Sequence, residues 1–189
     1  MIDVFLSASV PLPERDRKYF DTANVFLIRE AIKALIEVVL PVGRITFGGH
    51  PAITPLVSLY ARHAEIDRER ITIFQSKFFT ELMPVENDDF IDQRYVSAID
   101  GDRNLSIYSM RMNMIQSRKF HAAVVIGGMD GIHEEVELFR KLHPTAKILP
   151  VPSTGAAAEI VFRKGDYAKE LANDISFASM FRRNLLKTP

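Results

Sequence analysis

The chain has 189 residues, sets 24 basic side chains against 24 acidic ones for a net charge of zero, and holds no cysteine. That length suits one domain with its own core, expected here over residues 1–189, and the neutral balance argues against a broad nucleic-acid footprint. The missing thiols exclude disulfides, thiolate metal sites and thiol catalysis, and fit a cytoplasmic protein.

In chain order, Ile2–Leu6 (IDVFL) is a short apolar strand, with acidic Asp3 where a secretory leader would carry positive charge. Residues 7–20 are polar, carry Pro11 and Pro13, and read as a loop. From Asp21 to Leu40 the apolar positions Val25, Ile28, Ile32, Leu35, Ile36 and Val39 follow helical spacing. Arg29, Glu30, Lys33 and Glu37 interrupt that stretch, so it is an amphipathic helix and not a membrane span. Arg44–Phe47 is a second strand, ended by Gly48 and Gly49, and Pro51 suits the first turn of a helix running to His63. Ile71–Gln75 is a third strand. Residues 76–101 look irregular, with Pro84, the acidic group Glu86, Asp88, Asp89 and Asp92, and Gly101. A helix over Asp102–Arg118 follows, then a strand Ala122–Ile126, a helix from Gly131 to Leu142, and a fifth strand Lys147–Val151. Helices over Ser153–Arg163 and Tyr167–Leu186 close the chain.

Short strands rich in Val and Ile that alternate with helices predict an α/β fold: one Rossmann-like domain with a mainly parallel sheet and helices on both faces. Ligands of such sheets sit beyond the carboxyl ends of the strands. Small and glycine-rich turns gather there: Ser7 and Ser9 after the first strand, Gly48, Gly49 and His50 after the second, Gly127, Gly128, Met129, Asp130 and Gly131 after the fourth, Ser153, Thr154 and Gly155 after the fifth. Glycine lets backbone approach a ligand, helix N-termini favour phosphate, and Ser or Thr either donates to the ligand or caps the helix. Neither a Walker A motif nor a G-x-G-x-x-G fingerprint is present.

Glu134 and Glu135 fall in the first turn of the helix after the glycines, where acids complement the helix dipole and where one of them can face the cleft to accept from ribose hydroxyls. On a helical wheel, Arg111 sits inside the apolar arc of Leu105, Ile107, Tyr108, Met112, Met114 and Ile115. An arginine there needs a partner: a carboxylate such as Glu134 or Glu135, or a ligand phosphate. Arg103 opens the same helix behind the cap Asp102 and reaches toward the cleft mouth. The histidines show no metal-ligand spacing, so no metal is expected; His50 is the one at a strand end, and His133 is expected on the outer side of its helix.

The segments FLSAS, FGGH, GDRNLSIYSMR, IGGMDGIHEE and PSTGAAAE resemble the SLOG superfamily, the Rossmann-like group that includes the Lonely Guy phosphoribohydrolases and the Smf/DprA proteins. The Lonely Guy signature is P-G-G-x-G-T-x-x-E with an arginine on the preceding helix. The resemblance carries over to Gly127 and Gly128, to Gly131 and Glu135, and to Arg111, which precedes Gly127 by 16 positions. Three departures stand out: Ile126 replaces the proline, Met129-Asp130 fills a single position, and Ile132 replaces the threonine whose hydroxyl helps hold phosphate. The G-G-M-D/E-G form looks more like SLOG domains of bacterial conflict systems that accompany TIR or sirtuin effectors.

Two readings follow. In the first, the chain binds or senses a nucleotide-derived ligand of the ADP-ribose or cyclic-nucleotide kind, with the glycine turns and Ser153–Gly155 cradling phosphate and ribose and Arg111 neutralising phosphate. In the second, Arg111 and Glu135 are catalytic, and the chain releases a base from a nucleotide by cutting the N-glycosidic bond. Neither reading calls for a cofactor. DNA binding in the Smf/DprA manner is weakened by the zero net charge. The apolar residues Ile175, Phe177, Met180, Phe181, Leu185 and Leu186 suggest a homodimer through the last helix, or a higher oligomer, and an effector protein is a further candidate partner.

Overall fold

The structure, a computed structural model, describes residues 1–64 and 68–186. Six strands form one all-parallel sheet: β1 (Ile2–Ser9), β2 (Gly43–Gly48), β3 (Ile71–Ser76), β4 (Asp92–Val96), β5 (Ala122–Gly127) and β6 (Lys147–Val151), in the order β4-β3-β2-β1-β5-β6. The chain steps outward from β1 to β4, returns to the other side of β1 with β5, and steps outward again. The order therefore reverses between β1 and β5, where crevices open in such sheets.

Successive side chains of a strand point to opposite faces, and the core divides accordingly. Val4, Leu6, Ile45, Phe47, Val124 and Ile126 point to the face covered by α2 (Val25–Val39), α3 (Thr54–His63) and α7 (Phe177–Phe181). Phe5, Phe74, Ala123 and Val125 point to the face covered by α4 (Arg103–Gln116), α5 (Asp130–Leu142) and α6 (Ala156–Lys164). Asn24 caps α2 by accepting from the Leu27 amide at 3.0 Å, and Asp102 caps α4 by accepting from the amides of Asn104 and Leu105.

Four expectations are corrected. Residues 76–101 contain a sixth strand, β4, an edge strand whose half-exposed DQRYV has no apolar run to betray it. β1 continues through Ser7 to Ser9, in register with β5 up to Gly127, and a short helix α1 (Arg17–Phe20) forms within the expected loop. The last segment is not one helix: a 3₁₀ turn at Lys169–Asn173, α7 and a π-helical turn at Arg182–Leu186 follow one another. Phe177, Met180 and Phe181 are buried in the core against α2, while Ile175 stays 63 % exposed, so most of the apolar surface expected there is internal. Among the described residues no helix is long and apolar enough to cross a membrane.

Candidate functional site

A cleft of about 850 Å³ opens at the carboxyl edge of the sheet, over the β1/β5 reversal. Of the residues singled out in the sequence, Ser9, Gly48, Gly49, His50, Arg103, Arg111, Met129, Asp130, Gly131, Glu134 and Glu135 line it. Ser7 lies beneath, buried in β1. Gly127, Gly128, Ser153, Thr154 and Gly155 are not among the lining residues.

The floor is built from β1, α4 and α5. Ser7 points to the face covered by α4, α5 and α6 and donates through Oγ to Glu135 Oε2 at 2.5 Å. The other carboxylate oxygen, Oε1, accepts from Arg111 Nε at 3.3 Å, and Arg111 also pairs through Nη1 with Glu134. The Arg111 and Glu135 side chains are 13 % and 15 % exposed, Glu134 60 %. Burial pushes the Glu135 carboxyl above its ordinary range, against the opposing pull of Arg111 and Ser7. The arginine on the apolar arc thus has both carboxylates as partners, although Leu105 and Tyr108 of that arc are half exposed. Gly131 is part of the arrangement, because a Cβ there would collide with the Arg111 guanidinium.

The glycine turn is held from below. The Gly127 amide donates to Thr154 Oγ1 at 2.9 Å and the Gly128 amide to the Ser9 carbonyl at 2.8 Å. Both glycines have positive φ, 57° and 91°, so the turn bends back across β1 in a conformation that side chains disfavour. Thr154 also donates to the Val151 carbonyl, and Ser153 donates to the Asp174 carbonyl. Ser153 and Thr154 therefore tie the turn and the C-terminal segment together, facing away from the cleft. At the start of α5, Asp130 accepts from the Tyr19 hydroxyl at 2.5 Å, a bond that keeps its carboxyl below the usual range. His133 lies half buried with its ring 6.2 Å from that of Tyr19, not on a free outer face.

The opposite wall has another character. His50 Nδ1 accepts from the Ala52 amide at 3.2 Å. Burial first, and the charge of nearby Arg15 second, lower the imidazole pKa to about 4. The ring is therefore neutral near pH 7 with its proton on Nε2. Arg103 stands 5.8 Å from the Phe79 ring centroid, and Phe79, Leu82, Met83, Pro84, Ile107 and Met110 form an apolar wall. Sequence reasoning missed Arg15, Asp16, Gln75 and Phe79 as lining residues. Arg15 lies in a featureless polar loop, and the two aromatic positions 78 and 79 were hidden in a segment without periodicity. Among the described residues no group of three metal-ligating side chains is found.

This sheet order, its glycine turn and the Arg111–Glu135 pair coincide with a family match covering residues 18–185, to the model described as the SLOG cluster3 family. The chain belongs to the SLOG cluster3 family. No curated protein matches it. Among solved structures, the X-ray structure of TM1055, a structural genomics target, superposes with a TM-score of 0.60 at 13 % identity, over 98 % of this chain and 100 % of that one. At that identity the likeness speaks for the SLOG member's fold alone.

Proposed function

We propose that this SLOG cluster3 protein binds a nucleotide-derived ligand, of the ADP-ribose or cyclic-nucleotide kind, in the cleft at the β1/β5 reversal. The observation that carries the reading is Glu135: a largely buried carboxylate, fixed by Ser7 and Arg111 at the floor of a cavity of the size small ligands occupy. One oxygen faces each partner, and in this reading the carboxylate also accepts from the hydroxyls of a ribose. His50, Arg103 and the apolar wall at Phe79 supply the remaining polar and stacking contacts.

The second reading, N-glycosidic hydrolysis, is favoured by the raised pKa of Glu135, since perturbed carboxyls in clefts are common acid–base groups. Water would add to the anomeric carbon as the C–N bond breaks. Glu135 would take a proton from that water, and the base would leave with a proton from solvent.

Melting temperature in the presence of AMP, ADP-ribose, cyclic ADP-ribose, NAD and ATP, followed by assay for free base, tests both readings. A ligand at a hundred times its Kd stabilises the native state by about 2.7 kcal/mol. Stabilisation with the ligand intact supports binding; base release that disappears in Glu135→Gln supports hydrolysis; no response to any of the five rejects the nucleotide reading. The setting suggested by the G-G-M-D-G turn is a bacterial defence or signalling system, with the chain in the cytoplasm, as a homodimer, beside a TIR or sirtuin effector. Sedimentation at micromolar concentration tests the dimer.

A further inference from the structure

The carboxylates at the start of α5 are paired with cations, while other basic groups on the cleft lining have no such partner, and this bears on how a phosphorylated ligand lies in it. At the α5 end, Asp130, Glu134 and Glu135 line the wall together. Arg111 is committed to Glu134 and Glu135, and Lys18, at 3.6 Å from Asp130, is shared with Asp16 at 3.0 Å. The amides of Gly127 and Gly128 already donate to Thr154 and Ser9, which leaves the first amides of α5 as the backbone donors of that end. Arg111 also lies across the backbone at Gly131. A phosphate brought here would meet three carboxylates and find two of the expected donors in use.

At the other end the donors are unspent. Among the described residues the guanidinium groups of Arg15 and Arg103 have no ion-pair or hydrogen-bond partner, and both line the cavity. His50 gives its Nδ1 to the Ala52 amide, which leaves the protonated Nε2 as a donor with no partner among the described residues. Asp16, the acid beside Arg15, is engaged by the Lys18 amine at 3.0 Å and by the Lys18 amide.

We propose that the ligand lies with its phosphate groups toward Arg15, His50 and Arg103 and its ribose hydroxyls toward Glu135 and Asp130, so that the glycine turn before α5 shapes the cleft without cradling phosphate. The proposal rests on the nucleotide reading for its ribose half, and its anion half stands on the charge distribution alone. Charge-assisted hydrogen bonds to phosphate are strong and directional, and arginine suits them best. Carboxylates accept from hydroxyls and repel phosphate. Each end therefore suits one part of a ribose phosphate and disfavours the other.

The test uses the intact chain and two kinds of probe. First, inorganic pyrophosphate is titrated while backbone amide and arginine side-chain NMR signals are followed. Shifts centred on Arg15, His50 and Arg103 are expected; shifts centred on Gly127–Gly131, or none in the cleft, overturn the anion seat. Second, Kd values for adenosine, AMP and ADP-ribose are compared in wild type, Arg15→Ala and Arg103→Ala. Each substitution is expected to weaken the phosphorylated probes by about tenfold and adenosine by less than about twofold. Unchanged AMP affinity in both variants, with tighter AMP binding in Glu134→Gln, overturns the orientation. Pyrophosphate shifts at His50 without binding of any nucleoside probe would uphold the anion seat and reject the nucleotide reading, so the two failures are distinct.

Discussion

Replacing Arg111 by Met tests the charge balance on the cleft floor. Arg111 and Glu135 are 13 % and 15 % exposed, and burial already holds the Glu135 carboxyl above its ordinary range with Arg111 beside it. Met keeps the stem's packing and removes the cation, so Glu135 retains only the Ser7 hydroxyl. Stranding one member of a fully buried pair costs about 3–5 kcal/mol; water in the cleft reduces the expectation here to about 2–3 kcal/mol near pH 7. For a chain of this size that lowers the melting temperature by about 5–10 °C. The pH dependence has a definite sign. A carboxyl whose folded pKa lies above its unfolded value binds more protons when native, so stability rises as pH falls through the folded pKa. Loss of Arg111 moves that pKa further up. The deficit of Arg111→Met should therefore be greatest at pH 8 and shrink toward pH 5. Urea unfolding followed by circular dichroism at both pH values measures it, with Arg111→Met/Glu135→Gln as the companion. The double variant should recover most of the loss at pH 8 and show a flatter pH response. A deficit below about 0.5 kcal/mol, or one that persists unchanged in the double variant, would refute the idea that Arg111 compensates a buried charge.

Other consequences are as direct. The pKa of His50 is lowered to about 4 from 6.5, so the unfolded chain binds its proton first and stability falls as pH drops from 6.5 toward 4, by at most ~3 kcal/mol. His50→Asn, which keeps an acceptor near the Ala52 amide, should remove that part of the acid sensitivity; an identical stability–pH slope in the variant would contradict it. Gly128→Ala places a Cβ at φ 91° and against the buried Ile132 side chain, with an expected loss of about 1–3 kcal/mol by urea unfolding. Thr154→Val removes the acceptor of the Gly127 amide and should cost a similar ~1–3 kcal/mol, while Ser153→Ala, which loses one bond at the partly exposed C-terminal segment, should cost about 1 kcal/mol or less. Equal effects of Thr154→Val and Ser153→Ala would argue that the turn does not depend on Thr154.

What could be read from the sequence was what repeats or is local. The strands β2, β3, β5 and β6 are runs buried on both sides, and such runs announce themselves in composition. The pairing of Arg111 with Glu134 or Glu135 was legible because an arginine among apolar helix positions needs a counter-charge, and the two acids open the next helix. β4 was not legible because its DQRYV carries polar and charged residues on both faces, whereas β6, the other edge strand, keeps an apolar run. β1 appeared to end at Leu6 because Ser7 looks like a turn residue; its hydroxyl is buried inside the sheet edge since Glu135 stands opposite, 128 positions away in the chain. Thr154 looked like a helix cap, and its partner instead is a glycine amide 27 positions earlier. Ser7 and Thr154 share one cause: a small polar side chain at a strand end has the same local signature whether it serves solvent, a ligand or a distant element.

That ambiguity bears on the phosphate question. A glycine pair after a strand is a phosphate cradle only if its amides are unspent, and here the sheet and Thr154 take them first. The replacement of a hydroxyl by Ile132 at the first turn of α5 points the same way, because Ile132 packs under Gly128 with Val136 and α6, where a threonine would present an oxygen. Meanwhile the first turn of α5 gathers carboxylates, which the helix dipole tolerates well and a phosphate does not. Spent glycine amides and a buried isoleucine leave the α5 end with fewer phosphate donors than a full glycine cradle offers, and the carboxylates of its first turn already use the positive end of the helix dipole. In the orientation proposed above, a ligand gives its hydroxyl protons to the carboxylates of that end, and its phosphates lie toward Arg15, His50 and Arg103.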